Sequence, residues 1–138
     1  MLGAEVFFEE YIEGSLNTFI SHRFEEMVRT YFSLCVQKRK INGVTNIGTF
    51  YYDDSKNRTN GEFDVVLARK DAYDVYEVKY YSAPMRLKEM QSEEAQVRAI
   101  QGLNIGTIGF VATAGYEQCT DCYDCISPQS LYDDELSN

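Results

Sequence analysis

Gly61-Glu62-Phe63-Asp64-Val65-Val66-Leu67-Ala68 and Tyr73-Asp74-Val75-Tyr76-Glu77-Val78-Lys79-Tyr80-Tyr81 are two β-rich runs separated by the polar stretch Arg69-Lys70-Asp71-Ala72. Runs of this composition joined by a short polar turn predict a hairpin. Side chains alternate across a strand, so Glu77 and Lys79 project from one face together, and Asp64 on the neighbouring strand can face the same way. Two readings are open. In one, Tyr76, Val78 and Tyr80 point inward while Glu77 and Lys79 form an ordinary pair on a solvated face. A lone Glu-x-Lys is expected about once by chance in a chain of this size, so it decides nothing alone. In the other, Asp64 and Glu77 are hard oxygen ligands for Mg²⁺, and Lys79 positions a water or offsets charge developing on a phosphate.

Upstream of the hairpin, residues 1–18 carry Val6-Phe7-Phe8, Tyr11-Ile12 and Leu16, a helical apolar pattern broken at Gly14-Ser15. They are expected to be an N-terminal helical segment linking to an upstream region, with the domain proper over residues 19–138. Asn17 or Thr18 is placed to cap a longer helix over 19–36, whose stripe is Ile20, Phe24, Met27, Tyr31, Leu34 and Cys35. Glu25 lies at the edge of that stripe. His22, the single histidine, has no evident partner. A β-like run over 44–52 then leads into the polar loop 53–60, expected to be a long hairpin tip.

Downstream, Ser82-Ala83-Pro84 breaks the second strand, and residues 85–101 predict a helix ended by Gly102. Leu87, Met90, Val97 and Ile100 supply its apolar side, and Glu89, Glu93 and Glu94 its wet one. Gln91 and Gln96 on it are expected to be solvated. The continuous apolar run over 105–113 suits a buried strand, turned by Gly115-Tyr116. A further strand near 123–126 and a final helical turn over 128–136 complete the chain.

At 138 residues the chain is most simply one domain with one real core. No apolar run approaches the roughly 18 residues that a membrane span needs, and no basic, then apolar, leader opens the sequence, so a soluble cytoplasmic protein is expected. The net charge of −9 counts against a nucleic-acid partner, because phosphate contacts need Lys and Arg. Six of the acids fall after Asn104, where there is no Lys or Arg; the preceding 103 residues hold 16 acids and 13 bases, a net of −3. Lys38-Arg39-Lys40, or Arg86, Lys88 and Arg98, are the candidates to meet phosphates. Cys119, Cys122 and Cys125, with distant Cys35, invite a zinc or iron–sulfur reading. Their spacing is not a paired Cys-x-x-Cys set, and Asp121 and Asp124 would repel thiolates, so free cysteines in a terminal strand are expected instead.

The expected order is helix, three strands, helix, strand, and a further short strand: an α/β fold with a mixed central sheet flanked by helices. An acid on the first helix, Asp64 on the second strand and Glu77-x-Lys79 on the third form a four-member pattern in fixed order. In this it resembles the PD-(D/E)XK nuclease superfamily, whose restriction-endonuclease-like αβββαβ core holds one or two Mg²⁺ ions. Phe24-Glu25-Glu26-Met27-Val28, Glu62-Phe63-Asp64-Val65-Val66, Tyr76-Glu77-Val78-Lys79-Tyr80 and Ile126-Ser127-Pro128-Gln129-Ser130-Leu131-Tyr132 are, further, similar to the uncharacterised C-terminal domain of archaeal-type AAA ATPases. Where that family often has tryptophans, this chain has Tyr51-Tyr52 and Tyr80-Tyr81. The resemblance implies a metal-dependent nuclease acting on DNA, attached to or partnered with an AAA ATPase, with oligomers possible. Asp64, Glu77 and Glu25 would hold Mg²⁺ or Mn²⁺, and Lys79 would complete the catalytic set. The alternative it leaves open is a catalytically silent docking module of the ATPase. No G-x-x-x-x-G-K-[ST] occurs, so ATP binding by this chain is not expected.

Overall fold

The computed structural model describes residues 22–54, 59–100 and 102–132; the expected segment 1–18, the helix cap and the chain beyond 132 lie outside them. The hairpin forms as β2 (Thr59–Arg69) and β3 (Tyr73–Lys79), antiparallel, with Arg69 N–H closing the turn onto the Ala72 carbonyl at 2.8 Å. β1 (Val44–Asp54) adds antiparallel to β2. The pairing runs on to Asp53↔Asn60 and Asp54↔Thr59, so the expected loop 53–60 is largely strand, and only 55–58 remain for its tip, outside the described residues.

β4 (Ile105–Ala112) and β5 (Asp124–Ile126) then pair parallel, giving a five-stranded mixed sheet in the order β1-β2-β3-β4-β5. A parallel neighbour requires a crossover, and α2 (Leu87–Arg98) supplies it. With the first helix, α1, over 22–37, the order is the αβββαβ expected from sequence, followed by β5 and a 3₁₀ turn, Pro128–Tyr132. Among the described residues no helix is long and apolar enough to cross a membrane.

The sheet is buried on both faces. Phe24, Val28 and Phe32 of α1 pack on Val65, Leu67, Tyr76, Val78, Val111 and Ile126. Met90 and Val97 of α2 pack on the opposite face, against Phe63, Val66, Val75, Ile108 and Phe110. This rules out the solvated-face reading of the hairpin: residues 74–78 are all buried, and Glu77 is 6% exposed. Gly109 allows the Tyr76 ring to lie across β4, since a Cβ there would meet the ring at 2.3 Å.

α2 is shorter than the expected 85–101, because Met85 is spent on a bridge to Tyr116 and is fully buried. Its expected wet side is not simply wet. Glu89 accepts from the Tyr81 hydroxyl, Glu93 from the Lys79 ammonium at 2.8 Å, and Glu94 from the Tyr123 hydroxyl at 2.7 Å. These bonds tie α2 to the ends of β3 and to the residue before β5. Gln91 and Gln96 are exposed, as expected.

Candidate metal centre

The site is made by a defect in the sheet. Between Gly48↔Val66 and Phe50↔Phe63, β2 carries one residue more than β1, a bulge centred on Asp64 and Val65. Phe63 and Val66, three apart, therefore pack into the same apolar cluster, which a regular strand would forbid. The β2–β3 ladder also stops there, at Val65↔Tyr76. The N–H of Val78 finds its acceptor in a side chain instead, Asp64 Oδ2 at 2.8 Å, while the Asp64 carbonyl accepts from Thr49 Oγ1 at 3.1 Å. Asp64 thus bridges the fork between the two strands.

At this fork Asp64 meets acids from two directions. Glu77 is hydrogen-bonded to it. Glu25 of α1 and Glu62 of β2 each bring a carboxylate oxygen, and these with one from Asp64 lie within 4.8 Å of one another. Glu62 was not singled out from sequence as a ligand, although Glu62-x-Asp64 has the spacing that sets two acids on neighbouring same-face positions. Glu25 reaches both of them from α1. Conversely, Glu77 stands outside that group of three and joins it through Asp64.

Electrostatics follow from this crowding. Burial first, then Asp64 and Glu93, push the Glu77 carboxyl up to about 9. Burial likewise raises Asp64, against the opposing bond from Val78 N–H. Burial and the charge of Asp64 raise Glu25, which His22 and Arg29 oppose. His22 does have a partner, then: its Nδ1 lies 3.7 Å from Glu25 Oε2, one turn along α1. Burial works against the Lys79 ammonium, but the hydrogen bond and charge of Glu93 outweigh it, and the net shift is upward. Glu77 Oε1 is buried with no hydrogen-bond partner, alongside Phe110 on β4.

A hard divalent cation fits these residues. The donors are all carboxylate oxygens, which suit Mg²⁺ or Mn²⁺, and a buried orphan oxygen is what a ligand awaiting a cation looks like. The structure groups Asp64 with Glu25 and Glu62, sets Glu77 beside Asp64, and places Lys79 two residues beyond Glu77 on β3, hydrogen-bonded to Glu93. The cysteines lie elsewhere. Cys125, on β5, is hydrogen-bonded to exposed Cys119; Cys122 is exposed, and Cys35 is buried in α1. Burial and Cys119 push the Cys125 thiol up to about 12.

Two other comparisons find nothing: neither curated proteins nor solved structures give a match. The family model of DUF234, described as archaeal and bacterial proteins of unknown function, matches residues 2–98. All of Glu25, Glu62, Asp64, Glu77, Lys79 and Glu93 fall inside that match.

Proposed function

The chain belongs to the DUF234 family, and from that premise and the carboxylate cluster we propose that it is a metal-dependent nuclease domain hydrolysing DNA phosphodiesters in the manner of the PD-(D/E)XK enzymes. The observation that carries this reading is the pairing of Glu77, whose Oε1 is buried and unpartnered, with Asp64, itself grouped with Glu25 and Glu62. A structural role alone would have satisfied that oxygen.

Asp64 and Glu77 would hold Mg²⁺ or Mn²⁺, with Glu25 as a further ligand or the anchor of a ligating water. A bound divalent ion supplies Lewis acidity at the phosphate and lowers the pKa of water. The chain's own part is positional and electrostatic. Asp64, fixed by the Val78 N–H, and Glu77, fixed by Asp64, set where the scissile phosphate comes to rest. Lys79 offers its ammonium to the charge that builds on the non-bridging oxygens as water attacks phosphorus. Held by Glu93 and surrounded by carboxylates, Lys79 serves as a cation and not as the base. The protein partner in this reading is an AAA ATPase, which would deliver or remodel the DNA.

Mn²⁺ titration by calorimetry of the wild type and of Glu77→Ala tests the reading. The wild type should bind and the variant should not. Equal binding by both would remove Glu77 from the site and the reading with it. The silent docking module keeps one observation in its favour, the exposure of Tyr51 on the edge strand β1; it gains if the folded wild type binds no metal.

A further inference from the structure

Two exposed tyrosines, Tyr51 and Tyr80, lie near the carboxylates. Tyr51 of β1 stands directly across from Glu62 of β2, so its side chain emerges on the same face as the acid group, and it is 73% exposed. Tyr80 follows Lys79, is 43% exposed, and has its ring centroid 6.1 Å from that of Phe24, the residue beside Glu25. Its backbone is held in place by its neighbour: Tyr81 N–H donates to Thr113 Oγ1 at 2.7 Å, and Thr113 Oγ1 donates back to the Tyr81 carbonyl at 2.7 Å. One exposed ring thus stands across from Glu62 and another against Phe24, next to Glu25.

Among the described residues, cations other than Lys79 are scarce at this rim. Lys38-Arg39-Lys40 follow α1 about 13 residues beyond Glu25, roughly 20 Å along the helix axis. Arg23 is paired with Glu26, Arg98 with Glu94, and Arg86 lies 3.6 Å from Glu117. Arg29 and His22 act on Glu25 itself. A duplex grips proteins chiefly through phosphates and hides its base faces within the stack. A chain of net charge −9 with aromatic faces beside its acids is built for the opposite case.

We infer that Tyr51 and Tyr80 form a stacking platform for unpaired bases, and that the substrate is single-stranded DNA, or a single-stranded segment within a larger DNA. Base–aromatic stacking tolerates any sequence and needs little counterion release. This takes the position of the scissile phosphate from the nuclease reading, but the binding itself does not depend on cleavage.

The test is fluorescence anisotropy of a labelled oligothymidylate and of a blunt hairpin duplex of equal length, in Ca²⁺, at low and moderate salt. The single strand should bind at least about tenfold more tightly than the duplex, with a shallow salt dependence. Tyr51→Ala and Tyr80→Ala should each weaken it by about 5- to 100-fold, while Tyr51→Trp and Tyr80→Trp retain binding. Thermal melts by circular dichroism show whether each variant is folded. Duplex bound as tightly as single strand, alanine variants that bind like the wild type, or a folded wild type that binds neither DNA would each overturn the proposal. Mn²⁺ calorimetry separates the two claims: single-strand binding through the tyrosines without Mn²⁺ uptake sinks the nuclease and spares the platform, and Mn²⁺ uptake without strand preference does the reverse.

Discussion

Asp74 and Glu77 lie three residues apart on β3, and both are buried acids, at 3% and 6% exposure. Asp74 is satisfied on every side. Its Oδ2 accepts from Arg69 Nε at 2.5 Å and its Oδ1 from Thr107 N–H at 2.9 Å, while Gly106 leaves room that a Cβ would take, 2.7 Å from that oxygen. Glu77 has an orphan oxygen and faces Asp64 and Glu93. The one joins strands; the other stays buried only by holding its proton well above the ordinary carboxylate range. Burial alone therefore does not mark a functional acid. Burial combined with unmet bonding does.

The contrast is broken most severely at Asp74. Asp74→Ala leaves Arg69 without its acceptor and the Thr107 N–H unmatched, and should cost about 3 kcal/mol, the lower end for a broken buried pair because Arg69 keeps some solvent. Urea unfolding measures it; a loss under about 1 kcal/mol would mean water replaces the carboxylate. Metal addition should come next in size. Mn²⁺ at about 100 times its dissociation constant should stabilise the wild type by about 2.7 kcal/mol and leave Glu77→Gln unmoved, read as a melting shift in each.

At Glu77 the sign reverses. Without metal, Glu77→Gln should stabilise the fold by about 1 to 2 kcal/mol at neutral pH, since a neutral amide spares the folded state the proton that Glu77 must take up on burial. The folded state holds the Glu77 proton up to about 9, against 4.5 when unfolded. Metal-free stability should therefore be greatest below pH 4.5 with respect to this group, and fall as pH rises toward 9. In Glu77→Gln that decline should flatten; an unchanged slope would assign it to Asp64 or Glu25. The smallest effect belongs to the well-served periphery. Tyr123→Phe removes the bond to Glu94 and should cost about 0.5 to 1 kcal/mol, with Mn²⁺ affinity unaltered.

The element order could be read from residues because its cues are local: period-two apolar runs for β2 and β3, a 3.6-residue stripe for the helices, and the proline before α2. The candidate acids could be read because a strand fixes which side chains share a face. What could not be read came from outside the local pattern. The bulge at Asp64 depends on how β1 meets β2, so the gathering of Glu62 with Glu25 had no cue in either segment. Glu93 looked like solvated helix because α2 alone does not disclose that Lys79 ends opposite it. The loop 53–60 looked polar and open because strand pairing through Asp53 and Asp54 runs against propensity. The burial of both sheet faces makes Glu77, which one reading placed on a solvated face, a core residue.

The mixed pairing of the sheet also predicts an order of assembly. β1, β2 and β3 meet through near neighbours in sequence, whereas β4 can dock on β3 only after the crossover through α2 has formed. Glu62, Asp64 and Glu77 are all carried by the early half, and Glu93, the partner of Lys79, arrives with the late one. The acids thus confront one another before the rest of the domain closes over them. A cation that quenches their repulsion at that stage should quicken refolding, beyond merely delaying unfolding.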